Sequence, residues 1–425
     1  ADRPVSKDEG NPAPPRNERR GPQMLGVVWE WAEMAVRWLH VIAGIAWIGS
    51  SFYFIALDLS LKQREGLPEG AGGEAWQVHG GGFYNMVKYL VAPARMPDEL
   101  TWFKWEAYTT WLSGMGLLVL VYYLQAELFM IDMSVMELEP WLAVAISLAG
   151  LAAGWIVYDL LCKSPLGDND TALAGVGFVF LVVLSYAFTL VFSGRGMIMQ
   201  MGALIGTMMV ANVFVIIIPN QKKVVADLIA GKQPDPALGK AAKTRSLHNN
   251  YLPLPVIFVM IANHYPLAFA SRWNWAILAI VLVVGAVIRH FFNSRHKGAG
   301  SPWWTWAAAA AGLAAIVWLS SLPPASTEQA AAAPEIQTAD LGIEVENVIL
   351  SRCSMCHAAE PLWEGITVPP KGVVLETPQQ IAAQARAIEM QAVRSHAMPP
   401  GNITYIEEGE RQLLAAWLAA GAPAW

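Results

Sequence analysis

Long apolar runs dominate this sequence, each about 20 residues long and bounded by charged residues, proline or glycine. A helix needs about 20 apolar residues to cross the roughly 30 Å of hydrocarbon in a bilayer. Apolar residues make up 55% of the 425-residue chain and charged residues only 15%, a composition unlike that of ordinary soluble domains. The sequence therefore predicts a protein that lies mostly in the lipid bilayer.

Eight of these runs are long enough to be predicted as transmembrane helices. They cover approximately residues 33–57, 105–124, 140–161, 172–193, 197–218, 251–271, 273–292 and 302–320. Short connections at 193–196 and 271–272 make the helices on either side of them antiparallel neighbours. The predicted fold class is all-α, with an eight-helix transmembrane domain within residues 24–320.

Lys and Arg are concentrated in alternate loops. Loops 58–104, 219–250 and 289–301 are basic, whereas loop 125–139 has four acidic residues and no Lys or Arg. Because basic loops remain in the cytoplasm, loop 125–139 and everything after residue 320 are expected on the opposite side. We therefore expect a multi-pass protein of the bacterial inner (cell) membrane with a periplasmic C-terminal domain.

Three segments differ in composition from the predicted spans. Residues 1–23 are polar and proline-rich and lack the apolar stretch of a signal peptide, so we interpret them as a disordered tail or an artificial extension, with Met24 a candidate natural start. Residues 321–341 resemble a linker, with proline and an alanine run. Residues 342–425 have helical patterns at about 342–353, 378–393 and 405–420, enough for a small all-α domain that needs a cofactor to complete its core.

Two of the three cysteines lie in Cys353-Ser354-Met355-Cys356-His357, which has the C-x-x-C-H spacing of covalent haem attachment. Two thiols three residues apart on one helical turn can each add to a porphyrin vinyl group, and the adjacent imidazole can bind the iron. A zinc or thiol redox site is the alternative, but the predicted side of the membrane favours haem. The C-terminal domain is therefore predicted to be a class I cytochrome c with haem c.

Met398 is the predicted second iron ligand, opposite His357. It lies 41 residues after that histidine, in the rigid segment Met398-Pro399-Pro400. A thioether opposite an imidazole raises the reduction potential and is typical of electron transfer. His396 is an alternative ligand, and core packing is an alternative role for Met398. His357 and Met398 are the predicted metal ligands, and the domain is predicted to relay electrons.

Ionisable side chains inside predicted spans are costly and therefore indicate function. His40 and His264 are both predicted in the outer half of the bilayer and together could hold a haem b, although a hydrogen bond to a neighbouring helix would also explain His40. His79 and His248 are predicted near the cytoplasmic ends of spans, and Glu106 at the mouth of the second span. These last three are the candidate catalytic residues, with solvated loop positions as the alternative for the two histidines.

Other polar features of the sequence carry weaker signals. Arg195 and Gln200 offer the donors that an anionic, carbonyl-rich heterocycle would need, but Arg195 is predicted at the outer interface, where extension toward the lipid headgroups is the simpler role. The run Gly80-Gly81-Gly82 has no predicted strand before it, so no nucleotide-binding motif is indicated. The net charge of −6 argues against nucleic acid as a partner.

Several segments are distinctive when taken together: Trp38-Leu39-His40, Ala46 to Tyr53, Trp105 to Gly114, His248 to Tyr251 and Asn263 to Pro266, all ahead of the C-x-x-C-H motif. This combination resembles the bacterial membrane-bound urate oxidase (urate hydroxylase) family with a C-terminal cytochrome c domain. The resemblance implies oxidation of urate or a related purine towards 5-hydroxyisourate in the membrane domain. It also implies electron transfer through haem c to a cytochrome or terminal oxidase, and it assigns no urate-contacting residues.

Two other functions are open at this point. The first is a non-enzymatic membrane electron conduit that relays electrons from a partner dehydrogenase or quinol to a cytochrome. The second is a transporter with a redox sensor domain, which the sequence disfavours because it has neither an inverted repeat nor a pair of broken helices.

Overall fold

The computed structural model describes residues 20–90, 93, 96–322 and 338–425. Most of the predicted N-terminal tail and most of the predicted linker therefore lie outside the described residues. In chain order, the helices and strands are α1 (Arg20–Ser60), β1 (Ala71–His79), β2 (Gly82–Tyr89), α2 (Trp105–Leu117), α3 (Ala126–Phe129), α4 (Pro140–Lys163), α5 (Asp170–Thr189), α6 (Gly194–Ala211), α7 (Ile218–Ile229), α8 (Pro236–Tyr251), α9 (Pro253–Ala262), α10 (Pro266–Phe269), α11 (Asn274–His296), α12 (Trp304–Ser321), α13 (Thr338–Arg352), α14 (Ser354–His357), α15 (Pro378–Ala383), α16 (Ala385–Ile388) and α17 (Glu408–Ala419). Three π-helical stretches extend these helices, at Leu118–Tyr123, Asn212–Ile217 and Glu389–Arg394.

Six helical segments of the described chain are long and apolar enough to cross a membrane. They are Val27–Ser60, Pro140–Lys163, Asp170–Thr189, Gly194–Ile229, Asn274–His296 and Trp304–Ser321. Their outer faces carry large apolar side chains such as Ile45, Val183 and Val317, each more than 60% exposed. A soluble protein rarely exposes so much contiguous apolar surface, whereas a lipid bilayer would cover it.

Of the other two predicted spans, one is a helix whose second half is π-helical, and the other is divided into two helices. The span predicted at 105–124 consists of α2 and the π-helical stretch that follows it. The span predicted at 251–271 is divided into α9 and α10 by residues 263–265. Proline lacks the N–H of a helical hydrogen bond and disfavours helix before it, so Pro266 begins a new helix instead of continuing α9.

Helix α6 is at the centre of the membrane domain. Most of its side chains are buried, with no exposed surface at Met197, Ile198, Met201, Leu204 and Ile205, while the stripe of Met199, Ala203, Gly206 and Thr207 is half-buried. A Cβ atom on Gly154 of α4 would lie 2.6 Å from Leu204, and one on Gly202 of α6 would lie 2.7 Å from Val259 of α9. Small residues at these positions therefore let α4 and α9 approach α6 closely, as is common between helices in membranes.

The loop between the first two predicted spans contains a β-hairpin, which the all-α prediction omitted. β1 pairs antiparallel with β2, and His79 is opposite Gly82 across the turn. Gly80 and Gly81 have φ values of +58° and +81°, as a two-residue hairpin turn requires. The expectation that no strand precedes these glycines is therefore wrong. A second strand, and not the helix of a nucleotide-binding loop, follows them.

The C-terminal domain has a hydrophobic core of its own. Its fully buried members come from helices far apart in sequence: Val345, Ile349, Ile381, Leu414 and Trp417. An ion pair from Arg352 to Glu410, with Nε 3.0 Å from Oε1, also joins α13 to α17. The described helices coincide with the three helical patterns predicted from the sequence, and the middle pattern consists of α15, α16 and a π-helical stretch.

The C-terminal domain contacts the acidic loop 125–139 of the membrane domain. The Met133 N–H donates to the carbonyl oxygen of Gly401 at 3.2 Å. A Cβ atom on Gly401 would lie 2.5 Å from the Glu127 carbonyl oxygen and 2.6 Å from that of Ile131, and its φ of +57° also favours glycine. Glycine is therefore required for the two backbones to meet here.

We predict that Gly401→Ala will separate this contact, because the added methyl group cannot fit against two carbonyl oxygens. The expected result is faster hydrogen–deuterium exchange in the peptide that contains Met133. Gly365→Ala is the matched control, since Gly365 has a φ of +84° but no atom within 4 Å of the added Cβ. Both variants should lose about 1 kcal/mol from the left-handed backbone, so equal exchange at Met133 in the two would contradict the docking contact.

Candidate functional site

The C-x-x-C-H motif lies on a single turn directly after α13. The N–H groups of Cys356 and His357 donate to the Cys353 carbonyl oxygen at 3.1 Å and 3.0 Å, which keeps both thiols on that turn. Burial raises the pKa of Cys353 to about 12 and also raises the pKa of Cys356, so both are neutral thiols near pH 7. The His357 Nδ1 atom is 3.0 Å from the Val373 carbonyl oxygen. Because a carbonyl can only accept, Nδ1 carries the hydrogen and Nε2 is left with a free lone pair.

The segment with Met398 is held by a buried arginine of α17. Arg411 is only 5% exposed, and its guanidinium donates to the Met398 carbonyl oxygen at 3.0 Å and to that of Ala392. The Met398 N–H donates to the Gln391 carbonyl oxygen at 2.8 Å. Hydrogen bonds therefore hold both the N–H and the carbonyl group of Met398. A side chain that has to point in one direction needs a backbone that is fixed in this way.

His396, the alternative ligand, lines the space between the two domains. Its Nε2 atom is buried and has no hydrogen-bond partner among the described residues. Burial, together with the Arg411 guanidinium, lowers the pKa of His396 to about 4. The imidazole is therefore neutral near pH 7.

His248 belongs to a buried polar network at the end of the membrane domain opposite the C-terminal domain. The Tyr158 hydroxyl oxygen accepts from Asn212 Nδ2 at 3.0 Å and is 2.8 Å from His248 Nδ1. Asn212 Nδ2 also donates to Asn249 Oδ1 at 2.9 Å, and Asn212 is the first residue of a π-helical stretch. Burial and the nearby Arg245 guanidinium lower the pKa of His248. A neutral imidazole can thus accept the Tyr158 hydroxyl hydrogen.

Two arginines close this polar network. Arg245 is buried and donates to Asp159 Oδ1 at 2.6 Å and to Asn212 Oδ1 at 3.2 Å. Arg289 donates to Asn250 Oδ1 at 2.6 Å and is centred 3.8 Å from the Phe52 ring. The sequence placed Arg289 in a basic loop that begins at that residue, and this assignment is wrong, because α11 continues to His296 and buries Arg289. Arg289 is therefore a buried residue of the membrane domain and not a loop charge.

The two histidines predicted to hold a membrane haem have different surroundings. His40 Nδ1 is 2.9 Å from the Thr110 carbonyl oxygen and 3.2 Å from Ser113 Oγ, and its ring packs on Gly114 of α2. His40 therefore makes the interhelical hydrogen bond that was considered as its alternative role, with Nε2 left free. His264 is exposed in the interruption between α9 and α10. None of the hydrogen bonds described for His40 links it to His264, and the haem b stays a prediction.

The three candidate catalytic residues lie on three different elements of the described chain. His79 is exposed at the end of β1, Glu106 lies in the first turn of α2, and His248 is in the polar network. No hydrogen bond or ion pair of the described chain joins any two of them. The same residues also contain no group of three or more His, Cys, Asp or Glu that could hold a metal ion.

A cavity of about 690 Å³ lies between the membrane domain and the C-terminal domain. One wall comes from the connections that precede α6 and α11, and the other from residues 394–402 and the start of α17. Arg195 lines it, with its guanidinium 5.3 Å from the Phe129 ring centre and 4.9 Å from that of Phe269. The predicted interfacial role of Arg195 thus overlooked two aromatic rings that come from segments 66 residues before it and 74 residues after it.

We predict that Tyr158→Phe will destabilise the membrane domain, because removing the hydroxyl leaves His248 and one Asn212 hydrogen without a partner. An unsatisfied buried polar group costs about 1–3 kcal/mol, which should lower the thermal unfolding midpoint in detergent. Tyr186→Phe is the control, since Tyr186 is 50% exposed and its hydroxyl has no partner among the described residues. Equal midpoints for the two variants would mean that the network contributes no stability.

Comparison with protein-family models relates the membrane domain to a known family. A family model described as urate oxidase N-terminal matches residues 26–320, well over half of the 425-residue chain and nearly all of the membrane domain. No curated protein and no solved structure matches the chain. On the strength of the family match, the chain belongs to the urate oxidase N-terminal family.

Proposed function

We propose that this protein is a membrane-bound oxidoreductase that oxidises urate towards 5-hydroxyisourate and passes the electrons through a covalent c-type haem to the respiratory chain. The family match over residues 26–320 indicates a urate-linked oxidoreductase role for the membrane domain. The docking of the Met398 segment on that domain, through Gly401 and Met133, is the observation that carries the electron-transfer part. It would keep a redox centre of the C-terminal domain next to the membrane domain.

The residues of the C-terminal domain fit a c-type haem. Cys353 and Cys356 are free thiols on one turn, His357 has an available Nε2, and Arg411 fixes the segment that carries Met398. These four residues, the cysteines with His357 and Met398, are the ones that would hold the group. When bound, a c-type haem accepts and passes on one electron at a time.

The reaction balances without O₂ as the direct electron acceptor. Urate and one water give 5-hydroxyisourate in the same charge state, two protons and two electrons. A C–O bond forms at the purine ring, the new hydroxyl keeps one hydrogen of the water, and the other water hydrogen and one ring N–H hydrogen leave as protons. A c-type haem held by Cys353, Cys356, His357 and Met398 would supply the electron acceptor. A cytochrome or terminal oxidase would then receive the electrons one by one.

We further propose that the eight predicted spans all cross the bilayer of a bacterial inner membrane, with the C-terminal domain in the periplasm. Six continuous apolar segments support this, and α2 and the α9–α10 pair would supply the other two. The contact between Met133 and Gly401 supports a common side for loop 125–139 and the C-terminal domain. The basic loops would lie in the cytoplasm.

The test is an anaerobic optical spectrum of the purified, haem-loaded protein before and after urate is added. We expect urate alone to reduce the c-type haem. Cys353→Ser with Cys356→Ser should abolish covalent haem, measured as a pyridine haemochrome, and electron delivery to an external cytochrome. Cys162→Ser is the matched control, because it removes the remaining cysteine from the membrane domain and should change neither.

Two outcomes would contradict the proposal. If the double-serine variant still passed electrons from urate to the external cytochrome, the C-terminal domain would not be the relay. If urate failed to reduce a fully loaded protein but a partner dehydrogenase or quinol did so, the protein would be an electron conduit and not an enzyme.

A further inference from the structure

The cavity between the two domains has the volume and the groups of a small-molecule site. Its volume of about 690 Å³ is within the range of roughly 300–1,000 Å³ that is usual for such sites. Both domains line it, and the C-terminal wall includes His396 and Ala397, the residues just before Met398. A molecule in this cavity would therefore lie beside the segment proposed to bind the haem iron.

Arg195 supplies a positive charge that no described carboxylate pairs with directly, although Asp132, Glu407 and Glu408 also line the cavity. None of the ion pairs of the described chain involves Arg195, and no described group accepts a hydrogen bond from its guanidinium. The rings of Phe129 and Phe269 hold the guanidinium by cation–π contact. This contact fixes the side chain and leaves its five N–H donors for a ligand.

Asn274 supplies an acceptor on the same wall. Its Nδ2 donates to the Phe269 carbonyl oxygen at 2.9 Å, which fixes the orientation of the amide. Its Oδ1 is buried without a partner among the described residues, and the residue is only 6% exposed. A buried acceptor without a partner is costly unless a ligand or water donates to it. Across the cavity, the buried Nε2 of His396 also has no partner within the described chain.

We propose that urate binds in this cavity, with its carbonyl oxygens on Arg195 and one of its ring N–H groups on Asn274 Oδ1. This inference rests on the proposed function. Urate is a planar anion that presents carbonyl oxygens beside N–H donors, so it needs a forked cationic donor and a neutral acceptor on one wall. Electrons leaving urate here would have a short route to the Met398 segment.

The polar network around His248 is a weaker candidate for the urate site. Arg245 there is paired with Asp159, and Arg289 already donates to Asn250 and Asn293, although Arg289 Nε and Asn293 Nδ2 have no partner among the described residues. Seventeen residues of helix separate Arg195 from Asn212, which at a rise of about 1.5 Å per residue is about 25 Å. Urate bound in that network would be remote from the C-terminal domain.

The test measures urate binding separately from urate oxidation. Full-length, haem-loaded protein is first reduced with dithionite under anaerobic conditions, so that bound urate is not consumed, and labelled urate is then added in equilibrium dialysis. We expect Arg195→Gln to raise the Kd about 10-fold to 100-fold, because a hydrogen bond to a charged group is lost. Asn274→Asp should also raise the Kd, because a carboxylate would repel the anion.

Arg295→Gln is the matched control. Arg295 is exposed and stacks on Phe291 at 5.9 Å but does not line the cavity, so its removal should change the Kd less than threefold. Haem reduction by ascorbate, measured in every variant, shows whether the C-terminal domain has folded. If ascorbate does not reduce the haem of the Arg195→Gln protein, the Kd of the Asn274→Asp protein alone tests the assignment.

Three outcomes would overturn the assignment. If wild-type protein is reduced by urate but both cavity variants keep the wild-type Kd, urate binds elsewhere and the proposed function stands. If Arg195→Gln shifts the haem potential and leaves the Kd unchanged, the arginine binds a haem propionate and not urate. If wild-type protein neither binds urate nor is reduced by it, the proposed function fails and this inference fails with it.

Discussion

Close packing of helix α6 against its neighbours is the constraint on which the rest of the membrane domain depends. A helix that is surrounded mostly by other helices must exchange contact with lipid for contact with side chains, and α6 does this through close approaches at Gly154 and Gly202. Its first turn is tied to the acidic loop, because the Ser193 N–H donates to the Met130 carbonyl oxygen at 2.8 Å and its hydroxyl donates to that of Phe129 at 3.0 Å. Its far end continues into the π-helical stretch at Asn212. One helix therefore connects both polar regions of the protein.

The two polar regions differ in how their charges are satisfied. At the Asn212 end, the Arg245 cation is paired with Asp159 and Asn212 bonds to Asn249, which gives stability to a buried interface. At the Arg195 end, the cation is held by aromatic rings and has no ion-pair partner among the described residues. Buried polar atoms without a described partner occur at both ends, Arg289 Nε and Asn293 Nδ2 at the first and Asn274 Oδ1 and His396 Nε2 at the second. The two regions therefore differ in the pairing of the cation, and an unpaired cation at the wall of a cavity is typical of a site for an anionic ligand.

The sequence predicted the parts of this protein that depend on local patterns. Apolar runs of about 20 residues predicted the six segments that are long and apolar enough to cross a membrane, and the C-x-x-C-H spacing predicted a helical turn at Cys353. The hairpin was missed although its signal was present, since Gly80-Gly81 is flanked by β-forming residues such as Trp76 and Phe83. The long apolar runs predict helices. The basic residues of loop 58–104 predict only the side of the membrane on which that loop lies.

The cavity and the polar network could not be predicted in the same way. Phe129 and Phe269 surround Arg195 from opposite sides of the sequence, and Tyr158 meets His248 across 90 residues. Contacts between residues so far apart in sequence depend on how the helices pack, and the periodicity of apolar residues does not specify that packing. The sequence did offer the individual residues, because Arg195 and His248 were both selected as unusual charges or imidazoles near apolar spans, but it gave no partners for them.

The backbone contact between Met133 and Gly401 restricts which sequence changes loop 125–139 can accept. Because main-chain atoms make the contact, the exposed side chains of loop 125–139, such as Glu127, Ser134 and Glu137, can be exchanged without loss of fit. The length of that loop cannot change as freely, since one inserted residue between Ala126 and Met133 would move the N–H away from the glycine and also shift the Met130 carbonyl that receives Ser193. Related chains that keep the two domains together should therefore vary in the composition of this loop while preserving its residue count.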